Sequence, residues 1–454
     1  MASRFQGLLT DAVHIGACDS MNDASTKNDL ERPSLVIDNI GQLVTCAGDR
    51  AGGPESALAI VDDAAIAIVG DRIEYAGPAA GLAENDIDLG NARQLDAGGL
   101  LVTPGFVDSH THVVFAGDRS AEFAHRCAGA SYLEILQAGG GILATVRATR
   151  AASEESLAEL CADRLERFAD QGVTTIEVKS GYGLTLADEL KMLRAIRQAA
   201  DSSPLRVETT LLGAHALPEE YQGRREHYVS LVCEDMIPEA AESGLARFTD
   251  VFVEEGAFTA RDASRIAKAA SDNGLGLRLH VDQLTAGGGA ELAADLGALS
   301  ADHLEEISPE GIRSLARAGV CAGLLPTSTL FLRLTKYAPG RELADAGVAI
   351  ALGTNFNPGS AMSENHSLTL GLACLRNGLT PAEALLASTV GAAGSLRLEG
   401  EAGCLEPGSR ADLVVHRATD YRHLAFHLGM PHAAVVVAGG RILRESGPLT
   451  SCQG

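Results

Sequence analysis

From about residue 100 onward the chain alternates two rhythms. Short apolar runs rich in Val, Ile and Leu give way to longer stretches with an apolar residue at every third or fourth position. The short runs read as buried strands and the longer ones as amphipathic helices. The strand candidates fall at 101–107, 173–178, 206–212, 250–254, 275–280, 298–302, 320–325 and 348–352. Between them, Leu157, Leu160, Cys161, Leu165 and Phe168 share one face of a predicted helix over 153–169. Leu190, Leu193 and Ile196 do the same over 186–199. Alternating strands and helices predict a parallel sheet. Eight such repeats predict a closed barrel rather than an open sheet.

The two ends carry a different pattern. Runs at 35–40, 42–46, 64–69 and 72–76 have β character, and Gly70-Asp71 between the last two is a hairpin signal. Runs at 411–416, 433–437 and 441–443 repeat this at the far end, with Gly439-Gly440 as the turn. The expected fold class is therefore α/β: a (β/α)8 barrel plus a small β-sandwich domain formed by both chain ends. The expected divisions are a polar leader over 1–32, one part of the β domain over 33–103, the barrel over 104–404, and the other part of the β domain over 405–454.

Composition narrows the function. The 454 residues are 46% hydrophobic, enough for a large core, and the net charge of −24 argues against nucleic acid and anionic membranes. No apolar run approaches the roughly 18 residues of a membrane helix. The nine cysteines are scattered without a C-x-x-C pair, which predicts reduced thiols and a cytoplasmic protein.

Chemistry-bearing residues cluster at the C-terminal ends of the predicted strands, the face that carries the active site in such barrels. His110 and His112 follow the first strand; residues two apart on a strand share a face, so their imidazoles stand side by side, as a metal ion requires. Lys179, Ser180 and Tyr182 follow the second, and His215 the third. Glu254 and Glu255 end the fourth, His280, Asp282 and Gln283 the fifth, and His303 the sixth. Thr354, Asn355 and Asn357 follow the eighth.

The segments VDSHTHVVFAGDRSAEF, SYLEILQAGGGILATVRATR, EVKSGYGLTLADELKML, LLGAHALP, SADHLEE and FNPGS together resemble the imidazolonepropionase family of metal-dependent amidohydrolases, over about residues 35–415. The resemblance implies hydrolysis of the cyclic amide of 4-imidazolone-5-propanoate to N-formimidoyl-L-glutamate, a step of histidine degradation. It implies one divalent metal ion, zinc or iron, a small-molecule substrate and a homodimer. His110, His112 and His280 would be ligands, with Asn355 at the position of a fourth. Arg119 would pair with the propanoate carboxylate, which a guanidinium fork matches. Tyr182 and His215 would hold the ring, Tyr132 would border the pocket, and Asn357, Gly359 and Ser360 would form the loop around the amino-acid portion. His303 would stabilise the developing oxyanion or move a proton. For Lys179 the resemblance points to a structural role.

Two positions depart from the family pattern. Gln283 stands where the family has the glutamate that takes a proton from water, and Asn355 stands where it has a metal-binding aspartate. Both changes keep shape and remove charge and basicity. Three readings remain open: an altered but working hydrolase, a ligand-binding paralogue with little turnover, and residues replaced to trap a complex. An amidohydrolase acting on another heterocycle is a further alternative.

Overall fold

The computed structural model describes residues 33–85, 87–129, 140–447 and 449. The leader over 1–32 and Tyr132 lie outside the described residues. Five strands come first: β1 (Leu35–Val44), β2 (Ile60–Val69), β3 (Arg72–Pro78), β4 (Arg93–Asp96) and β5 (Leu101–Pro104). Eight more build the barrel: β6 (Phe106–Asp108), β7 (Val173–Lys179), β8 (Arg206–Ala214), β9 (Phe248–Val253), β10 (Gly276–Val281), β11 (Ser300–His303), β12 (Cys321–Leu324) and β13 (Ile350–Leu352). Three close the chain: β14 (Leu413–His416), β15 (Ala433–Ala438) and β16 (Arg441–Glu445).

Strands β6 to β13 pair in sequence order, each parallel to its neighbour. The ring closes where the Ser109 amide reaches the Leu352 carbonyl at 3.5 Å and the Asn355 amide donates to the His110 carbonyl at 3.0 Å. The helices around it follow the apolar spacing. Both helices foreseen above form, over Glu154–Asp170 and Leu186–Ser202, capped by the Ser153 and Thr185 hydroxyls. They bury Leu157, Leu165 and Phe168 on one and Leu193 and Ile196 on the other.

The two chain ends share one branched eight-stranded sheet, ordered β16-β15-β14-β5-β1-β2-β3 with β4 also on β1. The branch arises at a register shift between Ile37 and Ile40, where Asn39 takes φ 50°. Before it β1 pairs with β4, and beyond it with β5. Ile37, Ile66, Leu413 and Val435, drawn from both ends, meet in a separate core. β4 carries only one buried residue, Leu95, and so left no alternation to read.

The apolar run over 101–107 divides at Gly105. Its first half joins the small sheet as β5, and its second enters the barrel as β6. The Gly105 amide donates to the Asp412 carbonyl, and a Cβ here would lie 2.2 Å from the Thr174 hydroxyl. Only glycine lets the backbone pass from one sheet to the other this closely. Among the described residues, no helix is long and apolar enough to cross a membrane.

His416 sits at that junction. It is buried, its Nε2 lies 2.8 Å from the Thr103 hydroxyl, and its ring is 5.7 Å from that of Phe106. Burial, with His432 adding, pushes its pKa down to about 3 from 6.5. The unfolded chain therefore binds this proton at a higher pH than the folded one, and stability falls as pH drops through that window. Denaturant midpoints taken at pH 6.5 and 4.5 are expected to show it: His416→Gln should lose less stability over that interval than wild type, by on the order of 2 kcal/mol. Equal losses in the two proteins would mean that His416 does not carry this cost.

Candidate active site

The C-terminal ends of the barrel strands open into a cavity of about 510 Å³. It is lined by His112, Arg119, Tyr182, His215, His280, Gln283, His303, Asn355, Asn357, Gly359 and Ser360. Nearly all of the residues singled out from the sequence thus meet in one place. His110 lies just beneath, fully buried, with its ring 4.4 Å from that of His280.

The polar atoms at the cavity floor lack protein partners. Among the described residues, His110 Nε2, His280 Nε2, His112 Nδ1, His303 Nδ1 and Asn355 Oδ1 are buried without a hydrogen-bond partner. Leaving so many polar atoms unsatisfied is costly unless something binds them. Burial holds His110 and His112 well below the usual histidine pKa, and it lowers His280 despite the opposing Asp250 carboxylate. Neutral imidazoles with free lone pairs suit a divalent metal ion. Among the described residues, donor atoms of His110, His280 and His303 lie within 4.8 Å of one another. The His112 ring instead stacks on His215 at 5.2 Å, while lying 5.4 Å from the His110 ring.

Beneath the histidines runs a line of buried charge. His280 Nδ1 bonds Asp250 at 3.0 Å, and Asp250 pairs with Lys179 Nζ at 2.8 Å. Lys179 also meets Glu177 at 2.6 Å. Arg278 stands 3.7 Å from Glu177 and 3.3 Å from Asp302, which bonds His110 Nδ1 at 2.8 Å. A carboxylate can only accept, so Nδ1 carries the proton on both histidines and Nε2 presents a lone pair. Burial alone would raise the Asp250 carboxyl, yet His280 and Lys179 hold it well below its usual range. Asp250, Asp302, Glu177 and Arg278 were not foreseen as site residues. The signal was there: Glu177 and Lys179, like Arg278 and His280, are two apart on a strand and share its inward face.

The cavity walls divide by chemistry. His112, Tyr182, His215 and Phe252 form an aromatic side, with Tyr182 and His215 ring centres 5.4 Å apart. His215 Nδ1 faces the Gly181 carbonyl at 3.0 Å, so the proton sits there; burial and the nearby His280 bring its pKa to about 3. Arg119, Glu122 and Arg126 also line it. Glu122 occupies the fork of Arg119, accepting from Nε at 2.9 Å and Nη2 at 2.5 Å. The bidentate face expected to meet a substrate carboxylate is therefore engaged within the protein. Gly359 packs against the same guanidinium: a Cβ there would lie 2.3 Å from Arg119 Nη1.

Asn357 turns inward to its own loop. Its Oδ1 accepts from the Gly359 and Ser360 amides, and its Nδ2 donates to the Asn355 carbonyl and the Ser360 hydroxyl. All four of its hydrogen-bonding positions are used, so it shapes the loop. Asp282 caps the helix over Gly289–Asp295 by accepting from Gly287, Gly289 and Ala290, which removes it as a proton carrier. Glu254 braces the loop beside Gln283 through the Leu284 amide at 2.9 Å and the Thr285 hydroxyl. Glu305 stands behind His303, with Oε2 3.7 Å from Nδ1.

The amidohydrolase family model matches residues 101–443. An imidazolonepropionase from Myxococcus xanthus is 55% identical over 408 residues, spanning 90% of this chain and 96% of that protein. One from Anaeromyxobacter dehalogenans is 50% identical over 422 residues, spanning 92% and 98%. Among solved structures, a triazine hydrolase variant superposes with a TM-score of 0.71 at 20% identity, covering 92% of this chain and 96% of that one, a likeness of fold alone.

Proposed function

The chain belongs to the imidazolonepropionase family of amidohydrolases, and from that premise we propose that its cavity hydrolyses the ring amide of 4-imidazolone-5-propanoate to N-formimidoyl-L-glutamate, in histidine degradation. One observation carries the reading: unpartnered histidine donors, an aromatic wall and a cationic wall border the same cavity. A planar heterocycle with an anionic tail needs these three together.

The ligand positions fit one divalent metal ion, zinc or iron, which would be held by His110, His112 and His280 with the side-chain oxygen Oδ1 of Asn355. When bound, such an ion polarises the amide carbonyl and lowers the pKa of water. The remaining work falls to the chain. Tyr182 and His215 flank the ring and orient it. Gln283 can hold a water by accepting from and donating to it, but an amide cannot take its proton. His303 is the lining group able to receive a proton and return it to the leaving ring nitrogen, with Glu305 Oε2 3.7 Å behind its Nδ1. The line of charge below keeps His110 and His280 in the tautomer that binds metal.

The test is metal analysis together with an ultraviolet assay of imidazolone loss, on wild type and on Gln283→Glu plus Asn355→Asp. Wild type is expected to turn over slowly and the double variant faster, by roughly 100-fold, the contribution of a general base. Equal rates would refute the role assigned to the missing carboxylates. Turnover of a purine or pyrimidine but not of the imidazolone would refute the substrate. Tight binding of the imidazolone without product would mark a ligand-binding protein instead.

A further inference from the structure

Four of the thirteen histidines fall between residues 416 and 432, and none of those four lines the active-site cavity. They lie at the end of β14 and along its connection to β15. His416 is held to the sheet by the Thr103 hydroxyl. The other three are spaced His423-x3-His427-x4-His432, and both gaps match those between paired histidine ligands of zinc.

Local structure brings these three together. His423 opens the single helical turn His423–Phe426, and the His427 amide donates to the His423 carbonyl at 3.0 Å. Residues four apart in such a turn share one face. The His427 ring meets that of His432 edge-on, with ring centres 5.5 Å apart. His432 is buried, yet among the described residues neither of its ring nitrogens has a hydrogen-bond partner. Burying an imidazole with both nitrogens unsatisfied is costly unless something binds there. Burial, with His427 and His423 adding, holds the His432 pKa below its ordinary value, against the Arg417 and His423 backbones, which favour the protonated form. The ring is then neutral and offers a lone pair. Among the described residues, only the active-site trio has three such donors within 4.8 Å, so the His427 ring has to turn to close this set. It is exposed and has room to do so.

We infer that His427 and His432, with His423 as the third ligand, form a second metal site, suited to a borderline divalent ion such as zinc, nickel or copper. His423 interacts with a neighbour of its own, so the pair His427 and His432 is the core of the site. A bound ion would tie the helical turn to the start of β15, a structural role separate from the chemistry in the barrel.

Equilibrium dialysis of the full-length protein against micromolar zinc chloride, followed by metal analysis, tests this. Wild type is expected to hold about two ions per chain and His427→Ala about one, with any imidazolone turnover unchanged. His112→Ala, which empties the active site, should keep about one, and the double variant none. Zinc should raise the Tm of His112→Ala by about 2–4 °C and leave that of the double variant where it was. His432→Gln should match His427→Ala; His432 is buried, so if that variant fails to fold, the exposed His427→Ala decides. His227→Ala removes an exposed histidine elsewhere and should retain both ions; loss of one there would mark an adventitious ion only and overturn the site. Two ions in His427→Ala would overturn it as well. A single ion in wild type, lost in His112→Ala, would overturn the second site and leave the active-site reading intact. A single ion lost in His427→Ala but kept in His112→Ala would support this site and sink the metal assignment in the barrel.

Discussion

Lys179→Met is expected to destabilise the protein by about 3–5 kcal/mol, the usual cost of removing one partner from a buried ion pair. Lys179 is fully buried, and its ammonium touches both Glu177 and Asp250. The buried group of Glu177, Asp250, Asp302, Lys179 and Arg278 carries three negative and two positive charges. Removing the lysine leaves three carboxylates facing one guanidinium. Burial already raises the Glu177 carboxyl against the pull of Lys179 and Arg278, so Glu177 is the group that then takes up a proton. Adding Glu177→Gln to Lys179→Met is expected to restore more than about 1 kcal/mol, because it removes the stranded charge. Guanidinium unfolding of the two variants measures this. A cost below about 1 kcal/mol for Lys179→Met would show that the charged line does not support the fold. The same lysine steadies Asp250, and through it His280, so metal affinity should fall by roughly 10- to 100-fold in the variant.

His112→Ala and His303→Ala are expected to part company. Without His112, metal content should drop well below that of wild type and turnover should vanish. Without His303, metal should remain while kcat falls by roughly 10²- to 10⁴-fold, the size of a lost acid–base group. The geometry makes this a sharp comparison. The compact donor trio contains His303, whereas the His112 ring stacks on His215. A metal-free His303→Ala beside a metal-replete His112→Ala would exchange the two roles. Metal analysis on purified protein decides between them, and no activity measurement is needed for that part.

Much of the architecture was legible before any coordinates. Strand and helix periods are local properties, so eight strands and the helices between them could be counted from apolar spacing. The end of the barrel where the cavity opens could be located as well, because polar residues sat at the same end of strand after strand. Other features were not local. The run at 101–107 looks like one strand, and only the close approach of Thr174 and the bond to Asp412 divide it at Gly105. Asn357 looked like a substrate contact, and only its four partners reveal a loop brace. Asp282 sits at the same strand end as His280, and only the helix it caps shows that both of its carboxylate oxygens are engaged.

The sequence alone determined the barrel, the sharing of a second sheet by the two chain ends, and the residue types that reach the catalytic face. The barrel and the residue types follow from periodicity and short spacing, and the shared sheet from the same β pattern recurring at both ends of the chain. Tertiary structure alone decided which of those side chains are free to act. The fork of Arg119 is closed by Glu122. His110 and His280 are tied to Asp302 and Asp250, which lie 192 and 30 residues away along the chain. Whether a polar group is spent or available depends on the partner that folding places within about 3 Å of it, and residue type does not encode that distance.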